Sequence, residues 1–161
     1  WYGFVPDIMA LSKGIASGFP LGAVVMKKEI SDNWTTSAHG GTFTGNLVSC
    51  AAGRATIKVL QAELPKMAEK TAVFEKLIDE LLKKYPTIYK FRQGVGFMIG
   101  LQCKDKTTNT ELRKRALAKG LLMINSGPQG DVIRFAPPVI ISLKDLRKGM
   151  AILDRVSAEL A

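Results

Sequence analysis

The chain has 161 residues, 47% of them hydrophobic and 23% charged, an ordinary globular composition that excludes a disordered or collagen-like chain. No apolar stretch approaches the length of a membrane-spanning helix, so no membrane partner is expected. The net charge of +9 would suit nucleic acid or phosphate, but the Lys and Arg are scattered. The densest runs, 66–84 and 113–119, interleave with Glu or fall on helix faces, so a solvated surface and no nucleic-acid partner are expected.

Asp7 to Ser12 reads as a short strand leading into a turn at Lys13, and Gly22 to Met26 as a second, buried strand. Residues 27–33 suit a short polar helix, and Trp34 to Asn46 a loop rich in Thr, Ser and Gly. Leu47 to about Ala62 reads as a helix with small residues for close packing. Pro65 suits the first position of the next helix. Met67, Thr71, Phe74, Leu77, Ile78 and Leu81 then trace one face, and that helix ends before Pro86. Ile88 to Gln93 and Val95 to Cys103 read as strands joined by a glycine turn. Asn109 to Lys119 is expected to be a helix stopped by Gly120, and Leu121 to Asn125 and Val132 to Phe135 to be strands. Ser142-Leu143-Lys144-Asp145 opens a final helix with Leu146, Met150, Leu153, Val156 and Leu160 as its buried stripe.

Several segments carry chemistry. Lys13 stands between an apolar run and the glycine-rich turn Gly14 to Gly22. A lysine desolvated there would have a lowered pKa and a neutral amine able to attack carbonyls; a solvated lysine at a strand end is the alternative. His39-Gly40-Gly41-Thr42-Phe43-Thr44-Gly45-Asn46 precedes a helix, and its glycines and hydroxyls suit an anion such as phosphate. Arg134 lies inside an apolar strand, where it would grip a carboxylate or form a partly buried salt bridge. Arg92 is expected to form a salt bridge or turn contact, and His39 to be a hydrogen-bonding surface group. Trp1, Tyr2 and Trp34 read as packing residues. Cys50 and Cys103 fit no CxxC pattern and read as buried thiols in a reducing cytosol, so a cytoplasmic location is expected. One histidine and no Cys/His cluster argue against a metal. The chain starts at Trp1 rather than Met, with no leader-like segment, and reads as a fragment or processed product.

Together these segments resemble the class III, pyridoxal-phosphate-dependent aminotransferases of fold type I. Pro6 to Gly14 with Gly18 to Ala23 is similar to the family's lysine segment, and His39 to Asn46 with Cys50-Ala51-Ala52 to its phosphate loop. Arg92 to Leu101 and Val132 to Pro138 resemble its C-terminal-domain motifs. Within the class, Lys84-Tyr85-Pro86-Thr87-Ile88 and Gly120 to Asn125 resemble acetylornithine and succinylornithine aminotransferases most.

The resemblance implies an α/β fold. It would comprise the end of the large cofactor domain (residues 1–62), a connecting helix (63–83) and a small C-terminal α+β domain (84–161). It implies pyridoxal 5'-phosphate held by Lys13, which would then carry protons between substrate and cofactor. Thr42 would bind the cofactor phosphate of the neighbouring subunit of a homodimer, and Arg134 a carboxylate of 2-oxoglutarate or glutamate. Gly41 stands where acetylornithine enzymes usually have a substrate-contacting serine. The implied reaction is amino transfer between an ω-amino donor such as N-acetylornithine and 2-oxoglutarate. A 4-aminobutyrate-type aminotransferase and a glutamate-1-semialdehyde-type aminomutase are alternatives that share the motifs. A basic phosphate- or nucleic-acid-binding module is the non-enzymatic alternative. The family's ring-pairing aspartate and first phosphate turn would precede residue 1, so the chain alone is expected to be inactive.

Overall fold

The computed structural model describes residues 3–161; Trp1 and Tyr2 lie outside the described residues. The chain divides into two compact units, residues 1–62 and 63–161.

In the first unit, β1 (Ile8–Leu11) pairs antiparallel with β2 (Ala23–Met26), Ile8 opposite Met26 and Leu11 opposite Ala23. Between them runs a single 3-10 turn, Lys13–Ala16, closed by Ser17 at φ 47° and Gly18 at φ 107°. A short helix α1 (Lys28–Ser31) and a turn-rich loop follow, then the long helix α2 (Leu47–Glu63). Asn46 caps α2, its Oδ1 accepting from the Ser49 amide at 3.0 Å. Gly53 lets α2 lie close to the chain before β2, since a Cβ there would come within 2.7 Å of Leu21 Cδ2. The Ser17 and Thr56 hydroxyls join the 3-10 turn to α2 at 3.0 Å.

β2 is not the buried strand that its apolar run suggests: Val24 is 49% and Val25 52% exposed. The ladder is two strands wide, and the side chains of the hydrophobic core cluster all come from the second unit.

The second unit opens with a 3-10 turn, Leu64–Lys66, which takes up Pro65, so α3 (Met67–Lys84) starts after the proline rather than on it. A four-stranded antiparallel sheet has the order β3-β4-β6-β5, with β3 Tyr89–Val95, β4 Met98–Cys103, β5 Ile124–Ser126 and β6 Val132–Phe135. Two helices complete the unit, α4 (Lys106–Ala118) and α5 (Leu143–Ala158). Because side chains alternate along a strand, Ile99, Leu101, Cys103 and Ile133 all project to the face that packs on the helices, and all are fully buried. Phe74, Ile78, Leu81, Leu146, Met150, Leu153 and Val156 close the core from α3 and α5, and Leu160, just beyond α5, packs against it.

Three boundaries differ from those expected. Gly94 is not the hairpin turn; it stays in β3 at φ 102°, and the chain reverses at Gly96 and Phe97. α4 begins three residues before Asn109 because the Asp105 carboxylate caps it, accepting from the Thr108 amide at 2.7 Å. β5 is short because the Leu121 amide donates back to Ala116 at 2.8 Å, which holds the chain after Gly120 against the end of α4.

Candidate active site

The first unit carries Lys13, Gly41 and Thr42. Lys13 has φ 58°, a left-handed backbone uncommon for a side chain of this size. Its residue is exposed, and its ammonium makes no ion pair or hydrogen bond among the described residues. The expected desolvation is therefore not supplied by residues 3–62, since both flanking strands are themselves open on their faces. What the fold does supply is presentation: β1 delivers an uncommitted amine onto a tight turn tied to α2.

Gly41 and Thr42 lie in the exposed turn ahead of α2, where the Thr44 amide donates to the Gly41 carbonyl at 3.0 Å. A Cβ at Gly41 would press on Thr44 Oγ1 at 3.3 Å, so glycine keeps this turn open. The Thr42 hydroxyl has no partner among the described residues. His39 is exposed and lies beside Trp34, ring centroids 5.9 Å apart, and makes no hydrogen bond among the described residues; Trp34 itself is 48% exposed.

The second unit carries Arg134, on β6. It is exposed, and its guanidinium makes no ion pair or hydrogen bond among the described residues, so the partly buried salt bridge is not formed. Arg134 lies on the sheet face opposite the helices and also borders a cavity of about 350 Å³ whose other walls come largely from the helix side, with Phe74, Phe135, Asp145, Leu146 and Met150 among them.

Arg92 is the opposite case. It turns to the helix side and forms a salt bridge with Asp79, Nε donating at 2.6 Å, with Glu75 at 3.5 Å. The guanidinium holds the Asp79 carboxyl below its ordinary value, and Asp79 raises Arg92 in turn. Cys103 is buried, and that burial pushes its thiol up to about 12; Cys50 is half-buried, and both are free. A thiol so raised is inert at neutral pH.

One residue escaped the sequence reading. Lys70 is nearly buried, donating to Glu63 at 2.8 Å and to the Val139 carbonyl at 2.9 Å, where sequence shows only one more lysine on a polar helix face. Gln93 shares the open sheet face with Arg134. Strand alternation carried the signal, since an inward Arg92 makes Gln93 point outward.

Comparisons with known proteins bear on the family and the fold. The α/β architecture is that of the C-terminal part of a fold type I transferase: it superimposes on an acetylornithine aminotransferase of Elizabethkingia anophelis with a TM-score of 0.85 at 28% identity, covering 97% of this chain and 42% of that one. The profile of the family described as aminotransferase class-III matches residues 1–156, and the chain belongs to the class-III aminotransferases. It is 34% identical to the acetylornithine/succinyldiaminopimelate aminotransferase of Yersinia pestis, over 98% of this chain and 39% of that protein. It is 36% identical to the 5-aminovalerate aminotransferase DavT of Pseudomonas putida, over 99% of this chain and 39% of that protein. The chain thus spans about two-fifths of the length of the curated relatives it matches.

The family's cofactor is pyridoxal 5'-phosphate. The residues present fit that group: an uncommitted lysine for its aldehyde, and an open Gly41–Thr44 turn with a free threonine hydroxyl for its phosphate. Among the described residues there is no cluster of His, Cys, Asp and Glu suited to a metal, and no helix is long and apolar enough to cross a membrane.

Proposed function

We propose that this chain supplies the lysine, a phosphate-loop threonine and the carboxylate-binding arginine of a pyridoxal-phosphate-dependent amino transfer between an ω-amino donor such as N-acetylornithine and 2-oxoglutarate. Residues 1–62 would end a large cofactor domain, 63–83 would connect, and 84–161 would form the small C-terminal domain. The protein would act as a cytoplasmic homodimer.

The observation that carries this reading is the match of residues 1–156 to the class-III aminotransferase family. Among the described residues Arg92 is committed to two carboxylates, whereas Lys13, on its left-handed turn, and Arg134, within its strand, are left without a partner. When bound, the cofactor supplies an electron sink for breaking a bond at the amine-bearing carbon. Lys13 would hold it, and its neutral amine would then accept and return the proton at that carbon. Thr42 would donate its hydroxyl to the phosphate of the neighbouring subunit's cofactor, with Gly41 leaving space for substrate. Arg134 would fix a substrate carboxylate with two parallel N–H donors. The relatives named for acetylornithine, succinyldiaminopimelate and 5-aminovalerate support a donor whose reacting amine is terminal.

The test is chemical trapping. The chain is incubated with pyridoxal phosphate, reduced with borohydride, digested and mapped by mass spectrometry. A dominant adduct at Lys13 is expected; labelling spread evenly over the lysines would show that no cofactor pocket forms in this chain, and the same even spread in the full-length protein would refute the reading.

A further inference from the structure

We propose that Gln93 is a second ligand for the carboxylate that Arg134 takes, and therefore a residue that sets carboxylate affinity and selectivity. This rests on the reading of Arg134 given above.

The strand register places Gln93 opposite Gly100, Gly100 opposite Arg134, and Arg134 opposite Ile124, one row across all four strands. Residues in such a row share a face, and this is the face without helices. Gly100 stands between Gln93 and Arg134 and puts no side chain there, with Val132 Cγ1 the nearest neighbour, 3.0 Å from where its Cβ would be. Two strand spacings of about 4.8 Å separate the Gln93 and Arg134 backbones by about 10 Å.

The Gln93 side chain leans over the glycine. A Cβ at Gly100 would lie 3.6 Å from Gln93 Cγ and 3.7 Å from Nε2, so the carboxamide is already on the Gly100 side of its strand. It makes no hydrogen bond among the described residues, and neither does the guanidinium beyond the glycine. An acidic residue at 93 would compete for Arg134 as an internal ion pair. A carboxamide leaves the arginine charge available and adds a neutral N–H donor directed at the same oxygen pair. Ile124 closes the row as an exposed apolar side chain beside Arg134.

The proposal is tested on the whole 161-residue chain, labelled with ¹⁵N and titrated with 2-oxoglutarate. The Gln93 side-chain amide, the Gly100 amide and Arg134 Nε–H should shift together along one saturable curve. Gln93→Leu should weaken binding about tenfold, the scale of a hydrogen bond to a charged group. Gln93→Glu should weaken it further, and Gln102→Leu, one row along the same face, should leave it unchanged. Arg134→Gln should abolish it. If Arg134→Gln abolishes binding while Gln93→Leu does not change it, the Gln93 proposal fails and the Arg134 reading stands. An equal loss in Gln102→Leu overturns the proposal as a general effect of the face. Absence of any shift at Arg134 in the unsubstituted chain overturns both.

Discussion

Arg92 on β3 and Arg134 on β6 have β4 between them, and their different fates follow from the pleat. Arg92 points to α3 and meets Asp79; Arg134 points away and meets nothing among the described residues. Arg92→Ala should lower the stability of the second unit by about 1 kcal/mol, because Asp79 is partly exposed and the pair is screened; urea unfolding would show it. Glu63 makes the sharper pH prediction. Hydrogen bonds from Lys66 and Lys70 lower its carboxyl from 4.5 to about 2. A depressed carboxyl contributes stability that is full above the unfolded value and disappears as pH falls through the folded one. Thermal melts should therefore lose stability between pH 4.5 and 2, and Glu63→Gln should flatten that slope; an unchanged slope would mean the pair is idle. Lys13 and Arg134 were legible from residue type and neighbours, as an amine before a glycine turn and a guanidinium in an apolar strand. Their exposure was not, because it depends on which other strands cover them. Lys70 was illegible because its partners lie on separate segments, Glu63 and the Val139 carbonyl after β6.

At the scale of elements, caps and glycines fix where each segment stops. The Ser142 hydroxyl accepts from the Asp145 amide at 3.0 Å and donates to its carboxylate at 2.7 Å, setting the start of α5. Ser142→Ala should cost about 1 kcal/mol, readable as a lower midpoint in urea with unchanged slope. Gly94 has a stronger requirement. At φ 102° any Cβ would run into the Met98 carbonyl oxygen, so the β3–β4 hairpin cannot close as it stands with a side chain there. Gly94→Ala should destabilise by more than the ~1 kcal/mol of an ordinary glycine replacement; a neutral result in the same urea series would refute the close approach. The sequence announced α5, β6 and the α3 stripe almost to the residue, because cap, period and stop agree there. It misplaced the β3–β4 turn since glycine marks both a turn and a strand position with left-handed backbone. It started α4 late because Asp105 signals its cap only through the amide three residues on.

For the whole molecule, burial is divided unequally between the two units. The core cluster runs from Phe74 to Val156 and takes all its members from the second unit. In the first, Phe4, Val5, Phe43 and Leu47 are between 71% and 85% exposed, and among the described residues β1 and β2 pair only with each other. Burial of apolar side chains at about 25 cal/mol per Å² is what offsets the entropy of ordering a chain, so the first unit has far less to hold it. Amide hydrogen exchange should therefore be slowest in β4, β6 and α5 and faster by orders of magnitude in β1 and β2. The consequence reaches the chemistry, because Lys13 takes its position from β1 and its turn. If β1 opens readily in this chain, trapping at Lys13 should rise with cofactor concentration without saturating early, and transamination by the 161-residue chain should be absent. Protection in β1 equal to that in β6 would show that the ladder is held independently of the core, and robust turnover would show that Lys13 is already placed for catalysis.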